Sequence, residues 1–205
     1  LAIRYAVDNG AKVINGSFGK DYSPHKECVW DAIKYAASKD VLIVHAAGND
    51  SKDVDAEPNF PTDEANGKEI SDNLITIGAL NNKFGKEIVA DFSNYGAKNV
   101  DVFAPGAEIY NSVPQSEYME LQGTSMACPM VSGVAAMLKS YFPTLSMKEI
   151  KDIMLSSAKS YVGKQQFKPG TEEPVDFATL SVTGGVVNIK NAVKACKALE
   201  ASKMN

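Results

Sequence analysis

The chain has 205 residues, 44% of them hydrophobic and 22% charged, which is enough apolar material for a substantial buried core and excludes wholesale disorder. Lys and Arg number 21 against 25 Asp and Glu, and the formal net charge of -4 argues against a nucleic-acid partner, which needs a basic stripe. No apolar run approaches the roughly 18 residues of a membrane span, and three widely spaced cysteines predict neither a disulfide framework nor a zinc site.

The first half of the chain alternates between helical and strand patterns. Ile3, Ala6 and Val7 fall on one face of a short opening helix. A domain rarely begins inside a helix, so we expect the chain to be part of a longer polypeptide. The next predicted elements are strands at 11–15, 41–44 and 74–77, with a helix at 26–38. This alternation predicts a mostly parallel sheet flanked by helices, with Val13–Asn15 and Val41–Val44 buried on both faces.

The second half begins with a polar segment at 49–73, which predicts a long surface loop. Residues 88–122 then predict short strands separated by Gly and Pro turns. Two helices are predicted at 124–142 and 146–157, the second opened by a capping box of Ser146 and Glu149, and a last helix at 187–199. No linker or repeat divides this pattern, so we expect one domain over residues 1–205.

The most specific stretch is Gly123-Thr-Ser-Met-Ala-Cys-Pro129, which opens the long apolar helix. It places Ser125 in the first helical turn, where unpaired backbone N–H groups and the positive end of the helix dipole would stabilise a developing oxyanion. Helix-start statistics alone make Ser125 an ordinary capping residue. A catalytic interpretation therefore needs support from other segments.

Two earlier segments give that support. The strand at 41–44 leads to the amide of Asn49, and an amide at the carboxyl end of a parallel strand is suited to hold an oxyanion. The strand at 11–15 likewise leads into small residues. The residues that follow the two strands are Ser17, Phe18 and Gly19 after the first, and Ala46, Ala47, Gly48 and Asn49 after the second.

In this order the three segments resemble the motifs of the subtilase family, the subtilisin-like serine proteases, and the likeness extends over roughly residues 2–199. It implies a subtilisin-like α/β fold and a serine endopeptidase that cleaves polypeptides through an acyl-enzyme on Ser125, with Asn49 and the Ser125 N–H holding the oxyanion. It also implies that segment 17–19 pairs with an extended substrate. Ser17, Phe18, Gly19, Ala46, Ala47 and Gly48 would then form the walls of the pocket for the residue before the scissile bond. Family membership further implies secretion or the cell envelope.

The chain departs from the family pattern at the other two triad residues. Subtilases supply Asp, His and Ser in that chain order. The stretch Asp8-Asn-Gly10 lies at a helix end and reads as a C-cap, His25 reads as a surface residue, and His45 reads as a core histidine. We therefore expect the C-terminal part of a catalytic domain, with its sheet incomplete on the N-terminal side and no activity alone. Its partners would be the missing N-terminal part or, through the incomplete sheet, a second copy.

Other interpretations stay open. A non-catalytic pseudoprotease or peptide-binding scaffold would keep the same groove. The pairs Ser23 with Lys26 and Ser71 with Asn73 match elements of penicillin-recognising enzymes, but the K-T-G strand is absent. A nucleotide-binding domain lacks its Gly-rich motif. No cofactor is expected. Four acidic side chains in the 49–73 loop could bind calcium, although their spacing is not that of an EF-hand: Asp50, Asp53, Asp55 and Glu57.

Overall fold

The computed structural model describes residues 1–203, built around a six-stranded sheet. The helices are α1 (Ala2–Asp8), α2 (Lys26–Ser38), α3 (Thr124–Tyr141), α4 (Met147–Ser156) and α5 (Ile189–Lys203). The strands are β1 (Val13–Gly16), β2 (Leu42–Ala46), β3 (Glu64–Ala65), β4 (Lys68–Glu69), β5 (Leu74–Leu80), β6 (Val102–Pro105), β7 (Ile109–Val113), β8 (Glu117–Leu121), β9 (Lys159–Ser160), β10 (Gln165–Phe167), β11 (Pro174–Asp176) and β12 (Gly185–Val186).

The sheet has the order β1-β2-β5-β6-β12-β9, and its neighbouring strands are parallel except for β12 and β9. Asn15 of β1 lies opposite Val44 of β2, which lies opposite Ile75 of β5. Because parallel strands end at the same edge of a sheet, the segments that follow β1 and β2 emerge side by side. The predicted α/β architecture with a mostly parallel sheet is confirmed.

Both faces of β2 are covered, as its continuous apolar run predicted. Leu42 and Val44 pack in the cluster that contains the buried side of α3. Val41 and Ile43 pack instead with Ile33 of α2 and with α1. All five residues of β2 are buried.

The central helix α3 buries one face against the sheet and exposes the other. Its fully buried residues recur at helical spacing and are mostly small, which allows a close approach to the strands: Ala127, Cys128, Val131, Ala135 and Leu138. On the other face Met130, Met137 and Tyr141 are 43%, 40% and 75% exposed. The predicted capping box of α4 is present, with Ser146 and Glu149 each accepting from the other's backbone N–H.

Strand β1 differs from its prediction. Val13 and Ile14 are half-buried and Asn15 is exposed, so the expectation that Val13–Asn15 is buried on both faces was wrong. Among residues 1–203 β1 pairs with β2 alone and forms an edge of the sheet, which leaves its outer side uncovered.

The predicted surface loop at 49–73 also holds more structure than expected. It contains the hairpin β3–β4, whose turn residues Asn66 and Gly67 both have positive φ, and Val54 is buried in a core cluster. A second hairpin, β10–β11, lies in the loop before α5. Across residues 1–203, no helix combines the length and apolar character needed to cross a membrane.

Candidate active site

Ser125 is the second residue of α3, as the Gly-Thr-Ser motif predicted. Gly123 precedes the helix with φ +146°, and its N–H donates to the Gly106 carbonyl at 2.7 Å. A Cβ at position 123 would lie 3.3 Å from the Asn49 amide nitrogen and would adopt a φ that side chains rarely allow. Glycine is favoured here because of the positive φ, and a Cβ would also crowd the Asn49 side chain.

Ser125 faces the segment that follows β1. The Ser17 hydroxyl donates to the Ser125 carbonyl at 2.9 Å, and the Ser125 hydroxyl lies 3.4 Å from the Ser17 carbonyl oxygen. The second distance marks a weak hydrogen bond that a substrate could replace. These two contacts join the first turn of α3 to the predicted substrate-binding segment across more than a hundred residues of chain.

The side chain of Asn49 is oriented by Thr124. Its Oδ1 accepts from the Thr124 N–H at 2.8 Å and from the Thr124 hydroxyl at 2.9 Å, while that hydroxyl accepts from the Gly48 N–H at 3.1 Å. With the oxygen occupied twice, the amide group must be placed so that Nδ2 is a donor pointing away from Thr124. Within residues 1–203 this Nδ2 has no hydrogen-bond partner.

A cleft of about 300 Å³ brings these groups together. Six of the eight residues predicted for the site line it: Phe18, Gly19, Ala46, Gly48, Asn49 and Ser125. The other two lie just behind: Ser17 holds Ser125, and Ala47 is 1% exposed and lines a neighbouring cavity of about 160 Å³. Lys20, Asp21, Asp50, Asn59 and Thr124 complete the lining.

A model of the subtilase family matches residues 1–180 of this chain. The chain belongs to the subtilase family. It is 40% identical over 139 residues to the Thermophilic serine proteinase of Bacillus sp. (strain AK1), covering 68% of this chain and 31% of that protein. It is 38% identical over 176 residues to the Cell wall-associated protease of Bacillus subtilis (strain 168), covering 86% of this chain and 18% of that protein.

Solved structures agree with this assignment. The prenylagaramide maturation protease PagA aligns with a TM-score of 0.74 and 28% identity, covering 94% of this chain and 65% of that one. A structure of the subtilase cytotoxin SubAB aligns with a TM-score of 0.75 and 25% identity. The chain spans less than a third of the two curated relatives named above, at 31% and 18%.

Two asparagines that the sequence analysis did not assign to the site support the cleft of this subtilase. The Ala47 carbonyl accepts from Asn59 at 2.8 Å and from Asn94 at 2.9 Å. The Asn94 Oδ1 also accepts from the N–H groups of Asp50 and Lys52. Asn94 lies between β5 and β6, and Asn59 follows Pro58 in the 49–73 loop.

The glycine at position 48 follows from this arrangement. Gly48 has φ +105°, and a Cβ there would lie 2.3 Å from the Asn94 side-chain nitrogen. The backbone thus passes directly over Asn94. The family resemblance implied Gly48 as a pocket wall, and the structure adds that it is a point of close packing.

Neither histidine of this subtilase forms a hydrogen bond with Ser125 among the described residues. His25 is the exposed N-cap of α2. His45 is 1% exposed, and its Nε2 lies 3.0 Å from the Phe18 carbonyl oxygen. Burial lowers the pKa of His45 to about 4, although the bond to that carbonyl acts in the opposite direction. The predicted core histidine is confirmed, and it is neutral at pH 7.

The remaining candidates have structural surroundings. Asn9 and Gly10 end α1, with the Asn9 amide donating to Tyr5, so the predicted C-cap at residues 8–10 is confirmed. Cys128 is fully buried with its thiol donating to the Val44 carbonyl, and burial raises the pKa of this thiol to about 11. It is therefore an inert core residue at neutral pH.

The penicillin-enzyme elements do not meet. Ser23 and Lys26 line an apolar groove beside α2, whereas Ser71 lies in a separate depression and donates to the buried Asn73. Asn73 in turn donates to the Val41 carbonyl and so holds β2. These motifs are structural.

The acidic side chains of the 49–73 loop are dispersed. Asp50 lines the cleft, while Asp53 and Asp55 accept backbone N–H groups from Asp55 and Asn99 respectively. Over residues 1–203, no group of three or more His, Cys, Asp or Glu side chains is arranged to hold a metal ion.

Proposed function

We propose that this chain is the nucleophile-bearing part of a serine endopeptidase that cleaves polypeptides. The arrangement of Asn49 supports this most directly, because Thr124 occupies its oxygen and leaves its NH₂ group as a donor beside Ser125. An amide donor and the N–H of a first-turn serine are the groups that stabilise an oxyanion. The family assignment over residues 1–180 is consistent with this chemistry.

In this mechanism the Ser125 Oγ attacks the carbonyl carbon of the scissile peptide bond while a general base takes its proton. The carbonyl oxygen becomes an oxyanion, to which the Asn49 Nδ2 and the Ser125 N–H donate. The C–N bond of this tetrahedral intermediate then breaks. The amine leaves with the proton from the base, and an acyl-enzyme remains on Ser125. Water then attacks the ester carbonyl while the base takes its proton, and the second tetrahedral intermediate expels the Ser125 Oγ, which regains that proton as the carboxylic acid product leaves.

The base and its orienting acid are proposed to come from a part of the protein outside these 205 residues. His45 points its Nε2 at the Phe18 carbonyl and is buried, and His25 caps α2, so neither is placed to take a proton from Ser125. The chain covers only 31% and 18% of two relatives, which leaves ample sequence for both groups. We therefore propose that the chain alone is inactive.

We also propose that the part of the protein that supplies the base and its orienting acid covers the exposed edge of β1. Among residues 1–203 the outer edge of β1 has no partner strand, and the outer side of α3 exposes Met130, Met137 and Tyr141. Such a surface recruits another chain when it is left uncovered. We also propose a location outside the cell or at its envelope, which the name of the Bacillus subtilis relative supports.

The test compares the 205-residue chain with the whole protease on casein and on a peptide anilide, each with a Ser125→Ala control. We expect Ser125-dependent turnover by the whole protease and none by the chain alone. Turnover by the isolated chain that Ser125→Ala abolishes would show that the base lies within it. A whole protease that binds peptides but never cleaves them would establish the peptide-binding scaffold instead.

A further inference from the structure

A buried imidazole lies directly behind the predicted substrate-binding segment 17–19. His45 is the fourth residue of β2 and is paired in register with Gly16 of β1 and Thr76 of β5. It is 1% exposed, and its Nε2 lies 3.0 Å from the Phe18 carbonyl oxygen. A carbonyl can only accept, so Nε2 carries the proton and donates to Phe18.

This imidazole is a costly choice for the fold by itself. With the proton on Nε2, the Nδ1 atom is a buried acceptor that has no partner among residues 1–203. A buried polar atom without a hydrogen bond destabilises the folded state, and an apolar side chain of similar size would avoid that cost. A side chain that adds one hydrogen bond and leaves one acceptor unpaired calls for a role beyond packing.

The backbone groups of the segment alternate in direction. The Phe18 carbonyl is turned inward to His45, and two residues later the N–H and the carbonyl of Lys20 both pair with Phe60, away from Ser125 in sequence and in contact. In an extended chain, successive peptide groups face opposite sides. Ser17 and Gly19 therefore present their backbone groups to the outer side, where the Ser125 hydroxyl lies 3.4 Å from the Ser17 carbonyl.

Gly16 lies beside this contact in the neighbouring strand, opposite His45. A Cβ on Gly16 would lie 3.4 Å from the Val44 carbonyl oxygen, 3.7 Å from the Phe18 ring and 4.0 Å from the imidazole carbon Cδ2, which are ordinary van der Waals distances. Residue 16 thus packs against both the imidazole and the residue that the imidazole binds.

We propose that His45 is a positioning residue for substrate: its Nε2–H holds the Phe18 carbonyl inward and so presents the outward backbone groups of Ser17 and Gly19 to an extended polypeptide. The inference rests on the proposed function, since that function makes segment 17–19 a strand to which a peptide adds. His45 acts through Phe18 and touches neither the peptide nor Ser125.

The test uses the 205-residue chain and a fluorescein-labelled hexa-alanine peptide, with affinity measured by fluorescence anisotropy. His45→Leu removes the donor, whereas the conservative His45→Gln places an amide NH₂ near the position of Nε2. We expect His45→Leu to bind about tenfold more weakly and His45→Gln to bind within about twofold of the wild type. The melting temperature of His45→Leu should change little, because the removal of the unpaired Nδ1 and the loss of the bond to the Phe18 carbonyl act in opposite directions. His45→Met replaces Leu if that variant does not fold.

Two further measurements read the positioning directly. Hydrogen exchange at the Lys20 and Phe60 amides should be at least tenfold faster in His45→Leu and unchanged in His45→Gln. The ¹⁵N spectrum of the wild type should show a protonated Nε2 and an unprotonated Nδ1 at pH 7. Equal peptide affinity in His45→Leu, unchanged exchange, or a proton on Nδ1 would each overturn the proposal.

The same measurements separate this proposal from the proposed function. A wild-type chain that does not bind the peptide overturns the role of His45 in substrate positioning. Peptide binding that depends on His45 supports that role even if the whole protease shows no Ser125-dependent turnover. The absence of turnover would refute the proposed hydrolysis but not the role of His45.

Discussion

Thr124 is the residue whose removal should disturb the cleft most selectively. It is 1% exposed, and its hydroxyl donates to the Asn49 Oδ1 at 2.9 Å and accepts from the Gly48 N–H at 3.1 Å. Thr124→Val keeps the shape of the side chain, so it leaves no cavity, but it removes both hydrogen bonds. Thr124→Ser keeps the hydroxyl and removes only the methyl group.

The expected loss for Thr124→Val follows from those two contacts. One lost hydrogen bond destabilises by about 1 kcal/mol, and a buried N–H left without an acceptor adds about 1–3 kcal/mol. The free energy of unfolding should thus fall by about 2–4 kcal/mol, and the melting temperature by about 4–16 °C in a domain of this size. Thr124→Ser should lose about 1 kcal/mol, the value of one buried methyl group.

Urea denaturation followed by circular dichroism measures both variants at one protein concentration. If Thr124→Val were as stable as the wild type, or lost less than Thr124→Ser, the hydroxyl would not be what fixes Asn49 and Gly48. The orientation assigned to the Asn49 amide would then have to be reconsidered.

Three more predictions concern charge, catalysis and association. Folding lowers the pKa of His45 from 6.5 to about 4, so between these pH values the unfolded chain binds more protons than the folded chain. The free energy of unfolding of the wild type should therefore fall, relative to that of His45→Gln, by about 2–3 kcal/mol as the pH drops from 7 to 4.5. Burial raises the pKa of Asp63 to about 7, so this carboxyl changes stability in the opposite direction in both proteins. The quantity to measure is therefore the difference in free energy of unfolding between the wild type and His45→Gln at each pH. Parallel stability curves for the two proteins would contradict the lowered pKa of His45. In the whole protease Asn49→Ala should lower kcat by about 10²–10³-fold with KM nearly unchanged, the loss seen on removing one oxyanion donor in a subtilisin, and a change confined to KM would assign Asn49 to ground-state binding. In light scattering, the average molar mass of the isolated chain should rise with protein concentration, and it should rise less for the Met137→Glu variant. A chain that stays strictly monomeric at high concentration would show that the β1 edge and the α3 face need no partner.

The sequence predicted most of the fold because its signals are local and strong. Helix Lys26–Ser38 was predicted with its observed bounds, since Pro24 and the spacing of Val29, Ala32, Ile33 and Ala36 leave little choice. β2 extends past the predicted Val44 to Ala46, because pairing on both sides carries the ladder into the small residues. The burial of β1 could not be predicted from its own residues, since it depends on which strand lies beside it.

The site was predicted as a set of segments but not as a network. Glycines and amides at strand ends marked Gly48 and Asn49, because these positions need special backbone or donor geometry. Asn59 and Asn94 act through contacts with Ala47, and nothing in their neighbouring residues indicates a partner so far along the chain. The Asn-Gly pair at 66–67 was a readable hairpin signal that the polar composition of the loop concealed.

The Ala47 carbonyl accepts two side-chain hydrogen bonds, and the two donors have different surroundings. Asn94 is 1% exposed and also accepts from the N–H groups of Asp50 and Lys52, so its side chain holds the turn after Gly48 as well as the Ala47 carbonyl. Asn59 shares the same acceptor but faces the cleft and lies against Gly19. A lineage could therefore exchange residue 59, and with it the depth and polarity of the pocket, while residue 94 preserves the backbone. Because two donors share one oxygen, the Ala47 carbonyl keeps a partner when residue 59 is replaced.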